Sequence, residues 1–344
     1  MGDTPRRAKW NRMGGAGRRL FLFMLLFCLA GFSLRAAGRD GRWAILVAGI
    51  SGDPELQKEY LGEMKDLVSV LEGSLGFPRD QIVVLFDDPS KDPALIRHKS
   101  TRENLQSVCL DLARRVQQED LVFVFIEGHG DYDGRTYKLN LVGPDPTAED
   151  LAAVLYAIPA RLFVVMNATN CSGGSIPAFS QKGKIVVTAT KSGMEKNQTH
   201  IGRFFIHAFR DNAADSDKND RVSILEAFAY ASRKVEEYYE KEGSMQTEHA
   251  VLDDNGDAKA QAKPAPENGE GFLARTTFLD AGVPQKILAD LTPEQKKLAL
   301  EAAELEKQIE ALKYAKGEMP EAEYETKLEE LLLRLARINA KLRK

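Results

Sequence analysis

Continuous apolar runs alternate along this chain with stretches whose apolar residues recur at helical spacing. Residues 43–50 (WAILVAGI), 82–86 (IVVLF), 121–126 (LVFVFI), 162–166 (LFVVM) and 185–190 (IVVTAT) are short, rich in β-branched and aromatic residues, and not interrupted by charge. Such runs predict strands buried on both faces. Between the first two, Leu56, Tyr60, Met64, Leu67, Val70 and Leu71 fall on one helical stripe within 55–75. Further helices are predicted over 101–117, opened by Thr101, and over 147–157, 201–210 and 223–240. Strand and helix in alternation imply an α/β fold: a three-layer sandwich with a mostly parallel central sheet. In such sheets chemistry collects beyond the C-terminal strand ends.

The pattern changes twice after residue 252. Residues 253–271 lose periodicity and gain Ala, Pro and Gly, which predicts a linker, and Phe272–Leu279 is read as a short last strand within 253–285. The acidic cluster Asp253-Asp254-Asn255-Gly256-Asp257 within it is read as a turn, with a metal site as the alternative; it lacks the Glu of an EF-hand's twelfth position. From 286 to 344 Leu291, Leu298, Leu305 and Leu312 recur every seven residues, and Leu328, Leu331, Leu335, Ile338 and Leu342 form a second stripe beyond Gly317 and Pro320. This predicts a C-terminal helical hairpin or coiled coil, used for self-association, for partner docking or for packing on its own domain.

Composition narrows the function classes. At 43% hydrophobic and 28% charged residues the chain is that of an ordinary globular protein. The net charge of −4 hides an asymmetry, because residues 1–37 hold seven basic residues and one acid. The remainder is therefore more acidic than the total suggests, which argues against a nucleic-acid partner. The basic start, the uncharged run Leu20–Leu34 and the small residues after it predict an export signal over 1–37, or an uncleaved membrane anchor. With Cys28 in that run, the body keeps Cys109 and Cys171. Cys109 shares a helical stripe with Leu105, Val108 and Leu112 and is read as a buried structural residue.

Two strand ends carry candidate chemistry. Glu127-Gly128-His129-Gly130-Asp131 follows the third strand, and Asn167-Ala168-Thr169-Asn170-Cys171-Ser172-Gly173-Gly174-Ser175 follows the fourth. A histidine and a cysteine at neighbouring strand ends can form a nucleophilic pair, the imidazole taking the thiol proton and the thiolate attacking a carbonyl. The glycines let backbone N–H groups face an oxyanion.

These segments resemble the legumain family of cysteine peptidases. Trp43–Gly49 is similar to that family's first strand, and Gln81–Asp88 to its second, with the Asp pair. Gly128-His129-Gly130 resembles the catalytic histidine motif shared with caspases and metacaspases, and Cys171-Ser172-Gly173 resembles their nucleophile turn. The resemblance spans roughly 42–240 within a domain of residues 40–252. It implies a caspase-like sandwich and a cysteine-type endopeptidase acting on peptides or proteins. His129 would then be the base, Cys171 the nucleophile, and Gly130 an oxyanion donor. The family places one residue between its cysteine and Ser-Gly, whereas Cys171 adjoins Ser172-Gly173 directly. Aligned on Ser-Gly, the nucleophile position falls on Asn170; counted from the strand, it falls on Thr169. Ser51 stands where legumains tend to carry an Asn that assists the histidine, and Glu195 is a candidate pocket wall. The alternative is a caspase-fold protein with a degraded nucleophile site, acting by calcium-dependent interaction.

A third motif is independent of these. Residues 215–226 match the spacing of an EF-hand-like calcium loop, with Asp215, Asp217, Asn219, the Arg221 carbonyl, Ser223 and Glu226 at the ligand positions. Asp220 stands where glycine is usual, at a position needing positive φ. Bound Ca2+ is expected there, and none is required for the peptidase chemistry.

Overall fold

The computed structural model describes residues 41–210, 212–282, 291–314 and 319–342. Its strands are β1 (Arg42–Ala48), β2 (Ile82–Phe86), β3 (His98–Lys99), β4 (Leu121–Glu127), β5 (Gly130–Tyr132), β6 (Tyr137–Leu139), β7 (Leu162–Asn167), β8 (Lys184–Thr188) and β9 (Val251–Asp253). Seven of them form one sheet in the order β3-β2-β1-β4-β7-β8-β9, while β5 and β6 form a separate antiparallel hairpin. All pairs in the main sheet are parallel except β8 with β9.

The alternating pleat divides the core in two. Ala44, Leu46, Phe123, Phe125, Val164, Met166, Ile185 and Val187 point to one face. Trp43, Ile45, Val122, Val124, Phe163, Val165 and Val186 point to the other. Helix α1 (Pro54–Glu72) covers the first face through Tyr60, Met64 and Leu67, and Asp53 caps its start by accepting from the Glu55 and Leu56 amides. Helices α2 (Arg102–Arg115), α3 (Ala148–Leu155) and α4 (Ile176–Phe179) cover the second, with Cys109 packed among them. Helices α5 (Ile201–Ala208) and α6 (Ile224–Lys241) return to the first face. The result is the three-layer α/β sandwich that the sequence pattern implies. Each aromatic side chain sealed between layers contributes about 1.5–3 kcal/mol by leaving water.

The tail departs from expectation in one respect. Phe272–Leu279 is not a strand: Phe272–Thr276 forms the short helix α7. Gly271 enters it in the left-handed conformation (φ 86°), and the Asp254 carboxylate accepts from the Gly271 and Ala274 amides, which closes a helical turn. Only Phe278 keeps an extended pairing, as an isolated bridge to Ser223. The last strand of the sheet is β9, too short to show periodicity. Beyond it, α8 (Pro293–Tyr314) and α9 (Glu321–Leu342) form the expected helical hairpin around Ala302, Leu305 and Ile338. Helix α8 also touches α7, so the hairpin leans on the domain. The leader read in residues 1–37 lies outside the described residues. Among the described residues no helix is long and apolar enough to cross a membrane.

The C-terminal end of β4 holds an acidic pair, one member buried and the other half-buried. Glu127 is only 5% exposed and faces Glu63 of α1, with which it shares a hydrogen bond. Burial, then the neighbouring charge, raises the Glu127 carboxyl well above its ordinary value, and burial raises Glu63 to about 7. As pH rises, the unfolded chain releases these protons first while the folded pair still holds one. The pair's contribution is therefore complete at acid pH and is lost as pH climbs from the ordinary carboxylate range through about 7. Urea unfolding should show stability falling between about pH 5 and pH 8, with a shallower fall for Glu63→Gln. Equal slopes for the two proteins would contradict the shared-proton pair.

Candidate functional site

The candidate site is built where β4 and β7 end. These strands pair in parallel up to Ile126 with Asn167, so the loops 127–131 and 167–175 emerge side by side. Gly128 takes φ 124° and lies against Gly49, an approach that leaves no room for a side chain. Gly130 is equally confined: a Cβ there would stand 2.5 Å from the Asn170 carbonyl oxygen and from the Tyr137 ring. The two loops therefore meet backbone to backbone.

His129 and Cys171 diverge from that meeting point. The His129 ring is half-buried and stands edge-on to Tyr60 of α1, ring centroids 6.2 Å apart, on the face covered by α1. Cys171 is 1% exposed and packs in the opposite cluster, which also holds Tyr137, Phe179 and Val186. Its backbone is left-handed (φ 58°), an unusual conformation for a residue with a Cβ, held by its N–H donating to the Glu195 carbonyl at 2.8 Å. Burial raises the thiol pKa, Asp131 adds to the rise, and Lys196 offsets it in part.

Asn170 is the residue that the fold turns toward Gly130. Its Oδ1 accepts from the Gly130 N–H at 2.8 Å, and its Nδ2 donates to the Lys196 carbonyl at 3.0 Å. The backbone donor expected to face an oxyanion is thus occupied by a neutral amide. Thr169 is fully buried, with its hydroxyl donating to Asn167 Oδ1 at 2.8 Å and hydrogen-bonded to the Tyr137 hydroxyl at 2.7 Å. Asn167 in turn donates to Ser175 Oγ, and Ser175 to the Ser172 carbonyl. This closed network rigidifies the turn.

The supporting residues have other tasks. Ser51 donates its hydroxyl to Asp87 at 2.7 Å. Glu195 accepts from the His249 amide and meets His249 Nδ1 at 2.6 Å, bridging the loop after β8 to the segment before β9. Cys109 is buried, and burial pushes its thiol up to about 12, as a structural residue should show. Tyr132, Tyr137 and Lys196 complete the site's walls, with Tyr132 wedged against Gly174 and Gly193. Residues of the short β5–β6 hairpin carry no periodicity that would have singled them out.

The loop 215–226 is tied together by side-chain bonds to its own backbone amides. Asp215 accepts from the Asn219 and Asp220 amides, Asp217 from the Asn219 amide, and Asn219 Oδ1 from the Arg221 amide. Lys218 and Asp220 take positive φ, both 62°. Val222 is buried, and Ser223 and Glu226 form a capping box that starts α6. Carboxylate oxygens of Asp215, Asp217 and Glu226 lie within 4.8 Å of one another. Burial, followed by the Glu226 charge, raises the Asp217 pKa. Burial would raise Glu226 too, but hydrogen bonds from Ser223 and Ser216 outweigh it and lower its carboxyl. An all-oxygen set of this kind suits a hard divalent cation.

No protein-family model matches the sequence, and no curated protein matches it. Among solved structures, the chain is similar to the crystal structure of protein GSU0716 from Geobacter sulfurreducens, at 9% identity and a TM-score of 0.42, covering 67% of this chain and 96% of that one.

Proposed function

We propose that this chain is a caspase-fold, calcium-binding interaction protein whose nucleophile position is held by Asn170 rather than by a thiol. The observation that carries this reading is the Gly130 N–H to Asn170 Oδ1 hydrogen bond. In a working peptidase of this type that N–H faces the substrate oxyanion and the neighbouring side chain attacks. A neutral carboxamide is no nucleophile, and here it consumes the donor. Cys171 supports the reading from the other side, since a buried thiol with a raised pKa supplies little thiolate at neutral pH.

Calcium belongs to the same reading. Asp215, Asp217, Asn219, Ser223 and Glu226 would hold the ion by side-chain oxygens and Arg221 by its carbonyl. The ion would neutralise the loop and fix the start of α6. A cleft of about 770 Å3 runs beside the loop, lined by Tyr230 and Arg233 of α6 and by Lys263, Pro264 and Phe278, which suits a peptide partner. Leu332 and Leu333, each about half exposed on α9, suit self-association or docking through the C-terminal hairpin.

The second reading is a cysteine endopeptidase using His129 and Cys171. It is favoured by the parallel pairing of β4 with β7, which sets the two loops side by side. It requires the 170–172 turn to rotate the thiol toward His129. Either reading is compatible with export or with an N-terminal anchor.

A fluorogenic peptide panel, run with and without Ca2+ on the wild type and on Cys171→Ala, separates the two. The interaction reading expects both proteins to stay at background. Cleavage by the wild type that Cys171→Ala abolishes would establish the peptidase. For calcium, EDTA should lower the melting temperature of the wild type, and the drop should be smaller in Glu226→Gln. Saturation at about 100 times Kd is worth about 2.7 kcal/mol, a readable shift. An unchanged melting curve on chelation would contradict the calcium assignment.

A further inference from the structure

A second group of carboxylates, Asp253, Asp257 and Glu270, lies in a different part of the fold. Asp253 ends β9, Asp257 follows in the next turn, and Glu270 returns just before α7. Oxygens of the three carboxylates lie within 4.8 Å of one another. The surroundings differ from those of an ordinary acidic surface patch. Asp253 is 0% exposed and Glu270 1% exposed. Asp253 Oδ1 accepts from the Ser180 hydroxyl and the Gly256 amide, and one Glu270 oxygen accepts from the Asp254 amide. The remaining oxygens, Asp253 Oδ2 and Glu270 Oε1, are buried with no hydrogen-bond partner.

Two unpartnered carboxylate oxygens in one buried cluster are costly, because a carboxylate taken out of water needs compensation for each oxygen. Lys259 offsets little of it, since its ammonium stands 3.6 Å from Asp257 with 80% of its side chain in solvent. A divalent cation would supply what both oxygens lack. We propose that Asp253, Asp257 and Glu270 hold a second cation of the oxygen-ligating class, Ca2+ ahead of Mg2+ because the donors come from an irregular turn rather than an octahedral cage.

The turn itself is shaped like the first loop. Gly256 and Ala258 take positive φ at the third and fifth positions after Asp253, as Lys218 and Asp220 do after Asp215. Asn255 accepts from the Asp257 amide, and Asp257 from the Lys259 amide, repeating the bonds around Asp217 and Asn219. The ion would tie the antiparallel edge strand to the entrance of α7, which Asp254 already caps. The inference stands on these residues alone and does not depend on the loop 215–226.

The test is Ca2+ stoichiometry on the full chain by isothermal titration calorimetry, after removal of metal by EDTA and dialysis. Asp257→Asn is the informative variant, because Asp257 is exposed and its loss leaves the core intact; Glu270→Gln is the second, with circular dichroism as the check on folding. With both loops loaded, the wild type binds two ions, Glu226→Gln one, Asp257→Asn one, and the double variant none. A wild type that binds one ion, lost in Asp257→Asn and kept in Glu226→Gln, would support this site and remove the first. Wild-type stoichiometry and affinity in folded Asp257→Asn and Glu270→Gln, or no binding left in Glu226→Gln, would overturn the proposal.

Discussion

The parallel pairing of β4 with β7 is the constraint on which the rest depends. Its register, Ile126 opposite Asn167, decides that the glycine-flanked His129 and the polar turn after Asn167 leave the sheet together. Both strands are sealed on two faces, so a slip by one residue would exchange the side chains packed under the two helical layers. The loops inherit that rigidity. Gly128 against Gly49 and Gly130 against Asn170 are close approaches that a sealed sheet can hold and a looser one could not.

Given that frame, the chemistry turns on how one short turn is wound. The chain leaves β7 through Thr169, whose hydroxyl is bound into the buried network with Asn167 and Tyr137. Asn170 then points to Gly130, and residue 171, in a left-handed backbone, buries its thiol in the second-face cluster, where the Asn170 Nδ2 donates to its sulfur at 3.6 Å. Reversing that order would uncover a satisfied network and a packed sulfur together. The site is thus held as a contact between the Asn170 side-chain amide and the Gly130 backbone amide.

Much of this was legible in the sequence. The runs at 43–50, 121–126 and 162–166 are continuous because their strands have no solvent face, and the stripe of Tyr60, Met64 and Leu67 marks the helix on the first face. The offset of Cys171 from Ser-Gly puts its register in question and leaves Asn170 and Thr169 as the two alternative positions. The direction of the Cys171 side chain was not legible, because it depends on a backbone bond to Glu195 from a distant loop. Phe272–Leu279 looked like a strand from its aromatic and β-branched residues; the Asp254 cap that makes it a helix lies 17 and 20 residues away from the amides it accepts. Strands of three residues, such as β5, β6 and β9, show no period at all.

Two further groups of carboxylates lie in the loop after α5 and around the turn that joins β9 to α7. In the second group, Glu270 and Asp254 tie the end of β9 to the entrance of α7 through backbone amides. The proposal that the Cys171 thiol is not a nucleophile has a direct measurement. Intact protein is treated with iodoacetamide near neutral pH, and labelling of Cys171 is followed by peptide mass spectrometry, with buried Cys109 as internal reference. The account predicts slow labelling of Cys171 until the protein unfolds. Rapid labelling of folded protein, suppressed by substitution of His129, would contradict it.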